Sequence, residues 1–391
     1  MDDLRPFDAD NHYYEPLDAF TRHLEPEFSR RGVQVINIGK RTTLAVGGRI
    51  SYYIPNPTFD PVAVPGCLDP YFRGEIPDGV TRADLVKVTP LADSPEYMDR
   101  DARIARLDEQ GLAGAVLYPT VGVGVEEMLK DDIPALMASA VAFNKWMEED
   151  WGFAYQERLF AAPYLSLADP VAALAELERV LEAGARIVVI RPAPVPGPGG
   201  TSRSLGDPSH DPIWARLAEA GVPVTFHASD SGYNAYAEAW GVPSVVEAFK
   251  INVLGKIITA DRAIFDTLAS LVVDGVLARF PELKILSIEN GAAWVRPLLA
   301  LFKKVYNQSP QAFDGEPIAQ FKRQVWIAPY YEDDISDLID VMGADKVLFG
   351  SDWPHAEGLF DPVSYIKEID FLDEATQDKI MRTNMAGLLG L

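Results

Sequence analysis

Short apolar runs rich in Val, Ile, Leu and Ala alternate, from about residue 96 onward, with longer stretches whose apolar positions recur at helical spacing. The runs predict strands at residues 6–10, 113–118, 159–165, 186–190, 222–227, 283–288, 324–328 and 346–349. Between them the pattern predicts helices at 97–110, 126–150, 170–184, 212–221, 245–280, 292–306 and 333–342. The first of these carries Ile104 and Leu107 on one side and stops at Gly111, a residue suited to the left-handed turn that ends a helix. Repeated β/α units imply an α/β fold, and eight of them are most simply accommodated by a (β/α)8 TIM barrel spanning residues 1–391 as one domain. Barrels of this kind place their chemistry at the C-terminal ends of the strands.

Two stretches break the alternation. Residues 31–90 hold short strand-like runs at 33–38, 42–46 and 49–54, with Gly47-Gly48 as a hairpin turn, and then a Pro- and Gly-rich stretch over 55–79. This is the pattern of a small β-rich insertion after strand 1, overhanging the mouth of the barrel. Residues 193–208 contain Pro-Val-Pro-Gly-Pro-Gly-Gly and read as a mobile loop after strand 4. A phosphate cradle would need a helix at once after Gly-Pro-Gly-Gly-Thr-Ser, and Pro208 and Pro212 argue against one, so the loop is expected to form a lid or rim.

The charge narrows the partners. With 35 basic and 58 acidic side chains, 35 − 58 = −23, the protein repels phosphate backbones and anionic lipid, which disfavours nucleic acid and membrane surfaces and leaves a small-molecule substrate. The single cysteine, Cys67, permits no intramolecular disulfide and fits a reducing cytoplasm. Met1-Asp2-Asp3-Leu4 lacks the basic, apolar start of a secretory signal, and the apolar stretch around residues 263–277 is interrupted by Asp266 and Asp274, too soon for a membrane span.

Polar residues able to bind a metal ion stand where the apolar runs stop. Asp10 and His12 lie two apart on the first strand and so share one side of it. Val222-Pro223-Val224-Thr225-Phe226 ends in His227, and Lys346-Val347-Leu348-Phe349-Gly350-Ser351 ends in Asp352. Imidazole mixed with carboxylate suits zinc first, with manganese or iron(II) also accommodated, and does not suit a thiolate site. Taken singly, an Asp after a strand is commonly a helix cap and a lone His commonly packs in the core; repetition at one end of the strands is what points to a single divalent ion. Tyr13, Tyr14, Tyr330, Tyr331 and Trp353 are candidates for the wall of a flat substrate pocket, or equally for rim packing.

The ordered set of Asp8-x-Asp10-x-His12, Phe143-Asn144-Lys145-Trp146, Asp211-Pro212-Ile213-Trp214, Phe280-Pro281-Glu282-Leu283-Lys284, Gly350-Ser351-Asp352-Trp353-Pro354-His355 and Asn384-Met385-Ala386 resembles the amidohydrolase-related branch of the amidohydrolase superfamily. That group includes aminocarboxymuconate-semialdehyde decarboxylase and hydroxybenzoate-type decarboxylases. The resemblance implies Asp10, His12, His227 and Asp352 as metal ligands, and a homodimer. It departs from the commonest pattern at Asp10, where many relatives carry His, and at Glu289, which takes the place of a frequent general acid/base His. Bimetallic members hold a carboxylated Lys after strand 4; Arg191 occupies that region here, implying one ion and offering a cation to a substrate carboxylate.

On this reading Glu289 serves as the catalytic base, Asp352 shares its duty, and His355, three residues on, orients Asp352 or assists the leaving group. A divalent ion lowers the pKa of bound water towards ~7, which favours hydrolysis of a small carbonyl compound, cyclic or aromatic-derived, by metal-activated water. The alternative is nonoxidative decarboxylation of an aromatic or enol acid. An anionic Glu289 beside a substrate carboxylate opposes the alternative by Coulomb repulsion. A non-catalytic barrel is the remaining, remote possibility.

Overall fold

The structure is a computed structural model and describes residues 5–391 apart from 55 and 244–251. The strands, in chain order, are β1 (Phe7–His12), β2 (Val33–Ile38), β3 (Arg41–Val46), β4 (Arg49–Ile50), β5 (Val62–Ala63), β6 (Val88–Thr89), β7 (Gly114–Tyr118), β8 (Leu159–Ala161), β9 (Val188–Ile190), β10 (Val195–Gly197), β11 (Thr201–Arg203), β12 (Val224–His227), β13 (Ile285–Ile288) and β14 (Val325–Ile327). Strands β1, β7 and β8 form one parallel sheet, and β9, β12, β13 and β14 another, in the order β14-β13-β12-β9. All seven are buried along their lengths except for Trp326, as expected of parallel strands with helices packed against them.

Backbone bonds connect the two sheets at both edges. Leu165 N–H donates to Val189 and Val189 N–H to Pro163, linking the chain after β8 to β9. On the other side Leu348 N–H donates to Ile327 and Ala9 N–H to Phe349, so residues 347–349 run between β14 and β1. That segment makes a single bridge to β14, shorter than the strand expected at 346–349, because a 3-10 turn (Ala344–Lys346) leads directly into it.

Helix boundaries follow the caps. The helix Arg100–Gln110 begins where Asp99 accepts from Ala102 N–H and ends at Gly111 with φ 71°. The single helix expected over 126–150 is two, Val125–Leu129 and Ile133–Asp150, because Asp132 caps the second and Pro134 occupies its first turn. The long helix expected over 245–280 is instead Val253–Thr259, Arg262–Val273 and Val276–Arg279, divided at Asp261 and at Gly275, whose φ is 74°; its positions 245–251 lie outside the described residues. The stretch 193–208 is not a structureless loop: β10 and β11 pair as an antiparallel hairpin, and Arg203 donates to the Ala168 carbonyl.

Within 31–90, β2, β3 and β4 form one antiparallel sheet, and β5 pairs with β6 in a second. Gly66 and Leu68 N–H groups donate to the carbonyls of His355 and Ala356, which seats this segment against the loop after residues 347–349. The core is dense with aromatics. Trp146, Trp151, Trp214 and Trp294 are all fully buried, each worth roughly 4–6 kcal/mol at about 25 cal/mol per Å2 of area withdrawn from water.

Candidate active site

An irregularity in β1 aims the first two candidate ligands. Asp8 pairs with Ala115 but Asn11 with Leu117, so β1 accommodates one extra residue over Ala9 and Asp10. Asp8, fully buried, holds this bulge: its carboxylate accepts from Asp10 N–H (3.1 Å), Asn11 Nδ2 (3.0 Å), Ser351 N–H (3.0 Å) and Ser351 Oγ (2.5 Å). Burial raises its pKa to about 7 against these bonds. One side chain thereby ties β1 to the loop that carries Asp352, whose own N–H donates to the Asp10 carbonyl.

Two further candidates leave their strands through left-handed backbone. Glu289 after β13 and Asp352 both have φ 55°, uncommon for residues with a Cβ, and such outliers mark places the surrounding structure over-determines. The Tyr330 hydroxyl donates to the Glu289 carbonyl, fixing that turn. Gly350 lies where a Cβ would come 2.7 Å from the Asp10 Cβ, so the close approach of the two chain segments requires glycine.

The side chains converge. His12 Nε2 lies 3.3 Å from Asp10 Oδ1, 3.3 Å from Asp352 Oδ1 and 3.8 Å from Glu289 Oε2. His227 Nε2 is 3.6 Å from Asp10 Oδ1 and 3.1 Å from Glu289 Oε2. His227 Nδ1 is 2.9 Å from the Ala228 carbonyl and donates to it, leaving Nε2 as the acceptor nitrogen that faces inward.

Whether these residues fit a metal ion can be judged from what they lack. Asp10 Oδ1, His12 Nε2 and His227 Nε2 are buried and find no hydrogen-bond partner, yet one donor atom from each residue lies within 4.8 Å of the others. Unpartnered buried acceptors cost free energy, and a shared cation is the economical way to satisfy all three. Burial, then the nearby His355, holds the His12 imidazole down to about 3, in the neutral form that ligates metals. Burial tends to raise Asp10, but contacts with His12 and His227 keep it below the usual carboxylate range. Glu289 is pushed well above that range by burial and then by Asp352, and Asp352 by burial and then by Glu357 and Asp10. Crowding this many carboxylates is repulsive alone and favourable around a divalent cation.

Residues His12, Asp352 and His355 make a second ligand-like group. Both His355 nitrogens are engaged, however: Nδ1 at 2.6 Å from Asp352 Oδ1 and Nε2 at 3.0 Å from Thr120 Oγ1. His355 is therefore placed to orient Asp352. Asp10, Glu289 and Asp352 line a cavity of about 740 Å3, whose walls include Tyr71, Phe72, Tyr330 and Tyr331, with Lys256 also lining it. That size falls within the roughly 300–1,000 Å3 of small-molecule sites.

Four expected substrate contacts lie elsewhere. Tyr14 is buried against Phe59 and Tyr97 and does not line the cavity. Tyr13 is fully buried against Trp146 and Trp151, and Trp353 packs on Tyr97 and beneath the Arg103 guanidinium; neither lines the cavity. Arg191 is buried and already occupied. It bonds Glu127 Oε2 at 2.7 Å and the Asp230 and Pro194 carbonyls, with Glu126 Oε1 3.7 Å away, so no face of it is offered to a substrate carboxylate. Of the other histidines, His210 Nδ1 bonds the Leu205 carbonyl and His23 pairs with Glu149 at the surface.

Sequence reasoning missed Arg103 and Glu15. Arg103 is fully buried and donates to the Glu96 carbonyl (2.7 Å), Asn11 Oδ1 (2.5 Å) and the His12 carbonyl (2.8 Å), bracing the end of β1. Its signal was present: Arg103 stands one turn before Leu107 on the buried face of its helix, where a cation requires partners. Glu15, whose buried carboxylate accepts from the Thr120, Val121 and Gly122 N–H groups after β7, carried no comparable signal.

A family model described as Amidohydrolase matches residues 130–391. Among curated proteins, 2-amino-3-carboxymuconate-6-semialdehyde decarboxylase of Dictyostelium discoideum is 23% identical over 201 residues, 50% of this chain and 52% of that protein. The chain thus spans about half the length of this curated relative. Among solved structures, an amidohydrolase from Mycobacterium avium subsp. paratuberculosis K-10 is 56% identical over 100% of this chain and 99% of its own, with a TM-score of 0.95. A 5-carboxyvanillate decarboxylase from Novosphingobium aromaticivorans with bound manganese is 17% identical, covers 99% and 97% of the two chains, and has a TM-score of 0.62; a likeness at that identity shows the fold alone.

Proposed function

The chain belongs to the amidohydrolase family, and from that premise we propose that it is a single-metal, nonoxidative decarboxylase of a small aromatic or enol acid, built on a closed (β/α)8 barrel. The circuit of backbone bonds through residues 347–349 and 163–165 supports the closed barrel. The observation that carries the function is the set of three buried, unpartnered donor atoms on Asp10, His12 and His227, with Asp10 and the neighbouring Asp352 lining a cavity walled by tyrosines. The names of the Dictyostelium and Novosphingobium proteins, both decarboxylases, favour loss of carbon dioxide over hydrolysis. Manganese, bound in the latter, joins zinc as a cation to try first.

Asp10, His12, His227 and Asp352 would hold the ion, which supplies positive charge against the oxygens of the substrate head. The chain's own groups do the rest. Tyr330 and Tyr331 confine a flat body beside the donors. Glu289, whose Oε2 lies 3.1 Å from His227 Nε2, stands at the cavity wall as the proton donor. The bond between the ring or enol carbon and the carboxyl carbon breaks, carbon dioxide leaves, and the electron pair left on carbon takes the Glu289 proton, which solvent restores.

Hydrolysis is the second reading, favoured by the name of the Mycobacterium relative and by the same position of Glu289, from which a carboxylate can act as a base. Product analysis separates the two. Manganese-loaded enzyme incubated with hydroxybenzoates, enol acids, amides and lactones in oxygen-labelled water should release carbon dioxide without labelling any product carboxylate. Label entering a product carboxylate would replace the lyase assignment with the hydrolase.

A further inference from the structure

Asp352 carries its side chain on strained backbone at the cavity edge, and His355 Nδ1 restrains its carboxylate at 2.6 Å from Oδ1, the oxygen that also lies 3.3 Å from His12 Nε2. The restraint is only as good as the hold on His355 itself. That ring lies against His12, with centroids 4.0 Å apart, and its far nitrogen, Nε2, meets the Thr120 hydroxyl at 3.0 Å. The Thr120 hydroxyl also lies 2.8 Å from the Tyr13 carbonyl, so it is held between that carbonyl and the edge of the His355 ring. His355 thus turns its Nδ1 towards Asp352 because Thr120 fixes the other edge of the ring.

Thr120 is in turn clamped. The buried Glu15 carboxylate accepts from three successive backbone N–H groups, Thr120 (3.0 Å), Val121 (2.9 Å) and Gly122 (3.0 Å), at the start of the loop after β7. Branching at Cβ limits the Thr120 rotamers further. A continuous set of contacts therefore runs from Glu15 through Thr120 and His355 to Asp352, joining the loop after β7 to the loop after residues 347–349.

We propose that Thr120 is a positioning residue for the metal-binding carboxylate of Asp352, acting through His355. This rests on the ligand assignment above and adds to it a residue that touches neither the ion nor the substrate. Outer partners of this kind are typically worth about 10–100-fold in metal affinity.

The test titrates metal-free protein with manganese(II) and reads free and bound ion by electron paramagnetic resonance. Thr120→Val, isosteric but without the hydroxyl, should bind about 10–100-fold more weakly and alter the line shape of the bound ion. Thr120→Ser should restore both. Because the two residues act along one path, Thr120→Val combined with His355→Gln should bind no more weakly than His355→Gln alone. Thr120→Ala, read the same way, substitutes if the Val variant does not fold. Unchanged affinity in a folded variant lacking the hydroxyl, or additive losses in the double variant, would overturn the proposal. Failure of wild-type protein to bind manganese would instead overturn the ligand assignment beneath it.

Discussion

Replacing Arg103 with Met removes a cation that braces the end of β1, and the structure sets the size of the loss. Three donations vanish, to the Glu96 carbonyl, the Asn11 side chain and the His12 carbonyl, and the guanidinium leaves its place over the rings of Trp353 (4.7 Å) and Trp151 (5.5 Å). Each bond to a charged donor is worth about 1.5–3 kcal/mol, but Met retains the apolar packing, and losses on breaking buried charged networks cluster near 3–5 kcal/mol. Taking about 4 kcal/mol, and about 2.1 cal/mol/K of unfolding entropy per residue over 391 residues, or about 0.8 kcal/mol/K, Tm should fall by about 5 °C. Arg103→Lys should recover little, since a single ammonium cannot span three acceptors. Scanning calorimetry on the metal-free variants is the assay. A fall of less than about 1 °C would refute the claim that Arg103 holds the strand end bearing Asp10 and His12.

Three other outcomes are expected. Glu289→Gln should keep its metal, measured by elemental analysis, while turnover drops about 10²–10⁴-fold; retained turnover would remove Glu289 from the chemistry. Gly350→Ala puts a Cβ 2.7 Å from the Asp10 Cβ and should weaken manganese binding while leaving the circular dichroism spectrum native; unchanged affinity would show that Asp10 need not sit where it does. Burial raises the Glu15 carboxyl from 4.5 to about 7 despite its N–H bonds, so its proton is bound more tightly in the folded state. The stability it contributes is full below about 4.5 and is lost as pH rises through about 7. Against non-titrating Glu15→Gln, the wild type should lose on the order of 3 kcal/mol of relative stability across that interval in urea unfolding, and a pH-independent difference would contradict the shift.

The strand positions and most helices were legible in the sequence because parallel strands buried on both faces read as continuous apolar runs, and helix ends carry caps such as Asp99, Gly111 and Gly221. The failures have local causes. Asp132 with Pro134, and Gly275, divide helices whose apolar periodicity runs through the break. The Pro- and Gly-rich stretch after β9 concealed a hairpin, since Pro and Gly are as frequent in turns between short strands as in loops. At the site, strand-end position picked out the residues that converge, whereas aromatic type alone did not tell the cavity walls, Tyr330 and Tyr331, from core residues such as Tyr13 and Trp353. Coulomb repulsion opposes decarboxylation only where Glu289 is anionic, and the sequence does not reveal that burial and Asp352 favour its protonated form. Thr120 and Glu15 were invisible for a related reason: their importance lies in partners more than 100 residues away in the chain.

Anomalous diffraction from crystals soaked in manganese tests the central claim most directly. One peak should lie at coordination distance, about 2.0–2.3 Å, from Asp10, His12, His227 and Asp352, and should vanish in His227→Ala. Density for those four side chains without a peak at saturating manganese or zinc, or a peak held by other residues, would contradict the account.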